Sequence, residues 1–164
     1  MRDDSTQSNG ATTSVSRVIN ATRTRVYQSF LSGDAVASWL APEGMQATVH
    51  NFEPREGGEI RMSLTYLNVE ESPDGKGGKS TSDTDTFRGK FVELIPDEKV
   101  VWLTEFESPD PAFAGAMTLI WSFTDADGGT EVTVRCENIP SGVRPEDNEE
   151  GSRSTLEKLA AFLE

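Results

Sequence analysis

Between Thr86 and Phe106 the residues alternate with the period of two facing β-strands. Phe87, Gly89 and Phe91 fall on one face, with Arg88 and Lys90 on the other. Pro96-Asp97-Glu98-Lys99 supplies a turn, and Val100 to Phe106 returns as a second strand. There Trp102, Thr104 and Phe106 share one face, and Val101, Leu103 and Glu105 the other; we take the first set as inward. A glycine between two inward phenylalanines leaves a gap where a side chain would otherwise pack. Two readings stand. The rings and the notch wall a cavity, or the sheet is an ordinary antiparallel one with its glycine at a bulge. Either way the chain is committed to a sheet with one apolar face, and that face has to be covered.

Around this hairpin the pattern continues. Ser14 to Asn20 reads as a first strand, and Ala21 to Ser32 as a helix carrying Val26, Tyr27, Phe30 and Leu31 at helical spacing. Thr22 or Thr24 is available as its cap and Gly33 as its stop. Asp34 to Leu40 reads as a short second helix capped by Asp34 and ended by Pro42 and Gly44. Strands follow over Met45 to Phe52 and Glu59 to Leu67, joined at Gly57-Gly58, whose glycines accept positive φ at low steric cost. Val69 to Asp85 is a long hydrophilic stretch read as a mobile connection. Glu107 to Ala114 is a loop, Ala116 to Thr124 and Thr130 to Ile139 are strands about the turn Asp127-Gly128-Gly129, and Arg144 to Glu164 is a helix with an apolar stripe.

The order is therefore strand, one or two helices, about six more strands and a long terminal helix, which defines an α+β domain. Residues 1–13 are small, polar and acidic and read as a disordered tail; residues 14–164 form one domain with no internal repeat.

Charge narrows the function classes. Twenty-eight acidic against 15 basic residues give a net charge of -13 in 164 residues. That excess argues against nucleic acid and against anionic headgroups, both of which need clustered Lys and Arg. A single cysteine, Cys136, excludes an internal disulfide. No apolar run reaches the length of a membrane span and no signal peptide opens the chain, so the cytoplasm is the expected address.

Motifs of chemistry are sparse. His50 is the only histidine, and with Cys136 far away in sequence it makes no metal site; we expect no metal and no cofactor. Gly78-Lys79-Ser80 has the ending of a phosphate loop, but Pro73 stands where the earlier glycine belongs and no helix follows. Glu93 and Glu105 on facing strands are candidates for acid–base work only if burial separates their pKa values. Trp39, Phe87, Phe91, Trp102, Phe106, Trp121 and Phe123 serve equally as core or as the wall of a ligand cavity.

A family resemblance comes from short motifs in order. They are Arg17-Val18-Ile19-Asn20-Ala21, Val26-Tyr27, Trp39-Leu40-Ala41-Pro42-Glu43-Gly44 and Phe52-Glu53-Pro54-Arg55-Glu56-Gly57-Gly58, then Phe87-Arg88-Gly89-Lys90-Phe91 with Glu93-Leu94-Ile95-Pro96, Asp127-Gly128-Gly129-Thr130 and Glu150-Gly151. Ser14 to Leu163 thereby resembles the activator of heat-shock protein 90 ATPase homologues, within the START-like (SRPBCC, polyketide cyclase-like) superfamily. The resemblance implies a helix-grip fold, a curved antiparallel sheet wrapped around a long C-terminal helix with a cavity between them. The chain departs from the pattern twice: Leu40 stands where many relatives have an aromatic, and Ser152 where many have tryptophan. Either change widens the cavity or is repacked by neighbours. Co-chaperones of this kind carry a separate N-terminal domain with no counterpart here, so chaperone stimulation is not implied.

The leading expectation is a non-catalytic module, monomer or homodimer, that binds a small apolar, aromatic or lipid-like ligand. Trp39, Met62, Leu64, Phe87, Phe91, Trp102 and Phe106 would line the wall, Thr104 would orient the ligand, and Leu156, Leu159 and Ala160 of the terminal helix would lie opposite. The alternatives are a cyclase- or hydrolase-type enzyme using the same cavity through Glu93 or Glu105, and a co-chaperone-like interaction module.

Overall fold

The computed structural model describes residues 10–68, 78 and 83–164. In chain order the elements are β1 (Ala11–Ile19), α1 (Arg23–Gln28), α2 (Gly33–Trp39), β2 (Met45–Phe52), β3 (Glu59–Tyr66), β4 (Thr84–Ile95), β5 (Lys99–Phe106), β6 (Met117–Ala126), β7 (Gly129–Ile139) and α3 (Pro145–Leu163). All seven strands join one antiparallel sheet in the order β1-β7-β6-β5-β4-β3-β2. Strands β2 to β7 run as a simple meander. Strand β1 lies at the far edge beside β7, so the segment holding α1 and α2 crosses from one edge of the sheet to the other. With α3 it covers the apolar face, and the result is the α+β, helix-grip architecture expected from the sequence.

The local chemistry of each element is readable. Thr22 caps α1 by accepting from the Arg25 N–H at 3.2 Å. That helix is only six residues long, against the twelve expected, because the buried Ser29 hydroxyl turns back to donate to the Val26 carbonyl at 2.6 Å. Ser32, not Asp34, caps α2, accepting from the Ala35 N–H at 3.3 Å, and Gly33 is the first residue of α2 instead of the end of α1. The β4–β5 turn places Pro96 ahead of Asp97, which takes a left-handed φ of 64°, while the Glu98 N–H closes onto the Ile95 carbonyl at 3.0 Å. Helix α3 opens with Pro145, Glu146 and Asp147, a proline with fixed φ and two carboxylates at the positive end of the dipole.

Three expectations change. Strand β1 begins at Ala11, inside the segment read as tail, because Ala11 pairs with Ile139 and the Thr13 hydroxyl donates to the Asn148 side chain. Strand β4 begins at Thr84, so Thr84 and Asp85 belong to the sheet and not to the hydrophilic connection; most of that connection, including Lys79 and Ser80, and residues 1–9 of the tail lie outside the described residues. The loop from Glu107 to Ala114 contains one 3-10 turn, Pro111–Phe113, capped by Asp110.

The core is an aromatic cluster between sheet and helices. Phe30 of the α1–α2 connection lies 4.7 Å from Trp39 and 5.0 Å from Trp121, ring centre to ring centre, and Trp102 lies 5.5 Å from Trp121. The pairs are tilted or edge-to-face, as ring quadrupoles favour. The C-terminal half of α3 seals this core with Leu156, Leu159, Ala160 and Leu163, all buried.

Candidate functional site

The N-terminal half of α3 has a different character from its C-terminal half. From Pro145 to Thr155 it contains no large apolar side chain. It contributes Asp147, Asn148, Glu150, Gly151, Ser152, Ser154 and Thr155 to the space facing the sheet. Three bonds hold this part of the helix to the turn after α2. Thr155 Oγ1 donates to the Leu40 carbonyl at 2.9 Å, Lys158 Nζ to the Ala41 carbonyl at 2.7 Å, and the Glu43 N–H to Ser154 Oγ at 2.7 Å. Small side chains on an anchored helix leave space above a concave sheet. The space is a cavity of about 500 Å³ between this half of α3, the Leu40–Met45 turn and the inner face of β3 to β7.

Five of the eleven residues expected to line a cavity do so: Leu64, Phe87, Trp102, Thr104 and Phe106. Thr104 spends its hydroxyl proton on the Met117 carbonyl at 3.3 Å and keeps acceptor capacity only. The other six, Trp39, Met62, Phe91, Leu156, Leu159 and Ala160, lie outside the lining and are at most 2% exposed. They fill the solid half of the core, where leucines of α3 meet the sheet directly. The cavity follows the small residues of the helix, not its apolar stripe. The absence of large apolar residues from Pro145 to Thr155 marks the half of the helix that could leave a space, though not where that half rests on the sheet.

Gly89 is not part of the wall. A Cβ at this position would sit 2.0 Å from the Leu103 carbonyl oxygen and 2.9 Å from Thr104 Cα. The glycine exists because β4 and β5 approach closely, and the cavity reading of this notch is corrected accordingly.

The structure adds residues to those expected to line the wall, some of which the sequence had linked to the cavity only as one of two readings. Leu40 and Ser152, the two departures from the family pattern, both line the cavity. So do Asp85 and Cys136, each at most 4% exposed, and Trp121. Trp102 Nε1 and Trp121 Nε1 are buried without a hydrogen-bond partner, whereas Trp39 Nε1 donates to the Ser29 carbonyl at 3.1 Å.

Of the candidate acid–base pair, Glu93 lies outside the cavity lining, while Glu105 belongs to it but carries its charge toward Arg88. Glu93 sits 3.1 Å from Lys99 Nζ and Glu105 3.8 Å from an Arg88 nitrogen, with side chains 41% and 46% exposed. Charges so placed are solvated surface pairs worth little. His50 is exposed, with Nε2 2.8 Å from Ser63 Oγ, outside the cavity. Nearby, Arg61 grips Glu107 through two bonds of 2.8 and 2.9 Å, and this hydrogen bonding holds the Glu107 carboxyl below its ordinary range. Among the described residues no group of three or more His, Cys, Asp or Glu side chains is placed to hold a metal ion. No described helix is long and apolar enough to cross a membrane.

Burial pushes the Cys136 thiol up from its ordinary range, against the opposing pull of hydrogen bonds with Thr13, Asn148 and Ser152. An unfolded chain ionises a thiol near pH 8.5, while the folded one keeps its proton, so this contribution to stability is complete below about pH 8.5 and is lost as pH rises further. Cys136→Ala should therefore lose less stability than the parent between about pH 8 and pH 10 in urea titrations. Ellman's reagent should modify native Cys136 about a hundredfold more slowly than the urea-unfolded chain.

Comparison with known proteins agrees with this architecture. Residues 20–164 match the model of the family described as activator of Hsp90 ATPase homolog 1-like protein. No curated protein matches the chain. Among solved structures, protein CV1439 from Chromobacterium violaceum is 27% identical with a TM-score of 0.78, over 93% of this chain and 97% of that one. Protein Ms6760 from Mycobacterium smegmatis is 20% identical with a TM-score of 0.69, over 93% and 90% of the two chains. A Rhodobacter sphaeroides protein is 19% identical with a TM-score of 0.71, over 94% of each. With a family match spanning strands β2 to β7 and all three helices, the chain belongs to the activator of Hsp90 ATPase homolog 1-like family, within the START-like superfamily.

Proposed function

We propose that this protein binds a small apolar or aromatic molecule, without chemical conversion, in the cavity between the sheet and the N-terminal half of α3, and that it does so in the cytoplasm. One observation carries the reading: about 500 Å³ of space, walled by Phe87, Trp102, Phe106, Met117, Leu119 and Trp121 on the sheet side, faces a helix segment with no large apolar residue to fill it. A volume in that range encloses a drug-sized ligand, and a mostly apolar wall with few polar groups is the usual make-up of such sites. Binding rather than turnover is favoured because Glu93 lies outside the lining and Glu105, which belongs to it, is half-exposed and paired with Arg88. The chain belongs to a superfamily whose members commonly bind hydrophobic ligands, and that supports the same reading.

Ser152 provides the test. A tryptophan here projects from α3 into the cavity, so Ser152→Trp should fill it while leaving the anchoring bonds at Ser154, Thr155 and Lys158 in place. Nile red, an uncharged dye that brightens in apolar surroundings, should bind the parent saturably at one site. The Ser152→Trp variant should bind it at least about tenfold more weakly, a loss of about 1.4 kcal/mol. Failure of the dye to saturate, or equal binding by both proteins, would overturn the reading.

A further inference from the structure

The cavity has a polar end and an apolar end. One row of paired residues crosses the inward face of the sheet: Thr13 of β1, Cys136 of β7, Leu119 of β6 and Trp102 of β5. The polar end of that row is at β1 and β7, and two strand spacings, about 10 Å, separate Cys136 from Trp102. Asn148 and Ser152, four residues apart and so on one side of α3, meet Thr13 and Cys136 there. Cys136, Asn148 and Ser152 line the cavity, and Thr13 stands behind them, 4% exposed.

Hydrogen-bonding capacity is left over at this end. The Thr13 hydroxyl donates to Asn148 Oδ1, which fixes the carbonyl end of the amide toward β1. Asn148 keeps both hydrogens of Nδ2 and Ser152 keeps its hydroxyl, and both side chains bond the Cys136 sulfur. A thiol is a weak partner in either role, so it does not use up an amide and a hydroxyl together. Elsewhere in the lining Thr104 and Thr155 give their protons to the Met117 and Leu40 carbonyls, and Ser154 Oγ holds the Glu43 N–H. Asn148 and Ser152 are half-buried, so their donors face the cavity open, whereas the indole nitrogens of Trp102 and Trp121 are closed off by burial.

We propose that Asn148 and Ser152 are the ligand-orienting pair of this cavity, and that the ligand is an apolar molecule with an oxygen acceptor at one end. That oxygen, a carbonyl or a hydroxyl, takes hydrogen bonds from Asn148 Nδ2 and Ser152 Oγ beside β7. The apolar body lies across β6 and β5, against Leu119 and Trp102. This rests on the binding reading above and adds which residues orient the ligand and which group of it they recognise.

Two naphthalenes of one shape test it by displacement of Nile red: 2-acetonaphthone, and 2-isopropenylnaphthalene, in which a CH₂ replaces the oxygen. The ratio of ketone to hydrocarbon affinity should fall about tenfold from the parent to Asn148→Asp and about threefold to Ser152→Ala. The aspartate keeps an acceptor for the Thr13 hydroxyl and exchanges the amide donor for an oxygen that repels the ketone. Should Asn148→Asp disturb β1 through Thr13, Ser152→Ala carries the test, since it leaves the Thr13–Asn148 bond in place. The infrared carbonyl stretch of the bound ketone should lie lower with the parent than with either variant, as a hydrogen-bonded carbonyl does. A ratio that neither variant changes overturns the assignment, while saturable Nile red binding upholds the cavity. If neither Nile red nor either naphthalene binds the parent, the binding reading falls and the assignment with it.

Discussion

Trp39→Ala is expected to destabilise the fold by about 3–5 kcal/mol, the cost of emptying a fully buried aromatic site that cannot collapse. Trp39 is 0% exposed, lies 4.7 Å from Phe30 and 5.6 Å from Trp121 between ring centres, and donates its indole N–H to the Ser29 carbonyl. Truncation removes the ring contacts and leaves a buried carbonyl without its donor, two penalties at one site. Neighbours cannot fill the gap, since the three bonds from Ser154, Thr155 and Lys158 fix the turn that follows α2. Thermal denaturation should show the midpoint falling by about 10 °C or more for a domain of this size. Trp39→Phe, which keeps one aromatic ring and loses the second ring and the donor, should recover part of that. A drop of under about 1 kcal/mol for Trp39→Ala would mean that the aromatic cluster does not hold the helices to the sheet.

Gly89→Ala is the second large effect and acts through backbone instead of volume. The added Cβ would meet the Leu103 carbonyl oxygen at 2.0 Å, a contact that no side-chain rotation relieves because the obstacle is main chain. Strands β4 and β5 would have to separate around the Gly89–Thr104 pair, in the middle of the sheet. We expect a loss of about 3 kcal/mol or more, at the upper end of overpacking costs. Val92→Ala, on the same strand with its side chain 48% exposed, should change stability by no more than about 0.5 kcal/mol. Chemical denaturation of both variants checks the contrast. Near-equal midpoints would show that the strands part readily here, and that the glycine is not there for close approach.

The hairpin around Pro96 shows how much was legible in the sequence. On either side of an irregularity at Val92 its pairing follows from alternation, since a strand slipped by one residue would turn its own inward rings, Phe87 and Phe91 or Trp102 and Phe106, to the other face. The structure pairs Phe87 with Phe106 and Phe91 with Trp102, as that alternation requires. The site was legible only in part. Leu64, Phe87, Trp102, Thr104 and Phe106 were reachable because parity says which strand residues face inward. Phe91 shares the inward face of Phe87 and yet packs against Phe52 and Trp102 in the filled half of the core. Parity gives the face and says nothing of the position of α3 along it.

Helix α1 makes the same point from another side. Its apolar spacing ran on to Leu31, but the Ser29 hydroxyl took the Val26 carbonyl and ended the helix early, freeing Phe30 to turn into the aromatic cluster. Competition between a side-chain and a main-chain bond is local chemistry whose outcome depends on burial.

Alternation, glycine placement and the apolar stripe of α3 therefore settled by themselves the antiparallel sheet, the α+β class and the covering helix, because each is a periodic property of neighbouring residues. The position of the cavity, the choice between widening and repacking at Leu40 and Ser152, the entry of Asp85 and Cys136 into the wall, and the unpaired indoles of Trp102 and Trp121 were decided by tertiary structure. They depend on where a helix anchored by three hydrogen bonds comes to rest above a sheet folded from distant segments, a distance that no local pattern encodes.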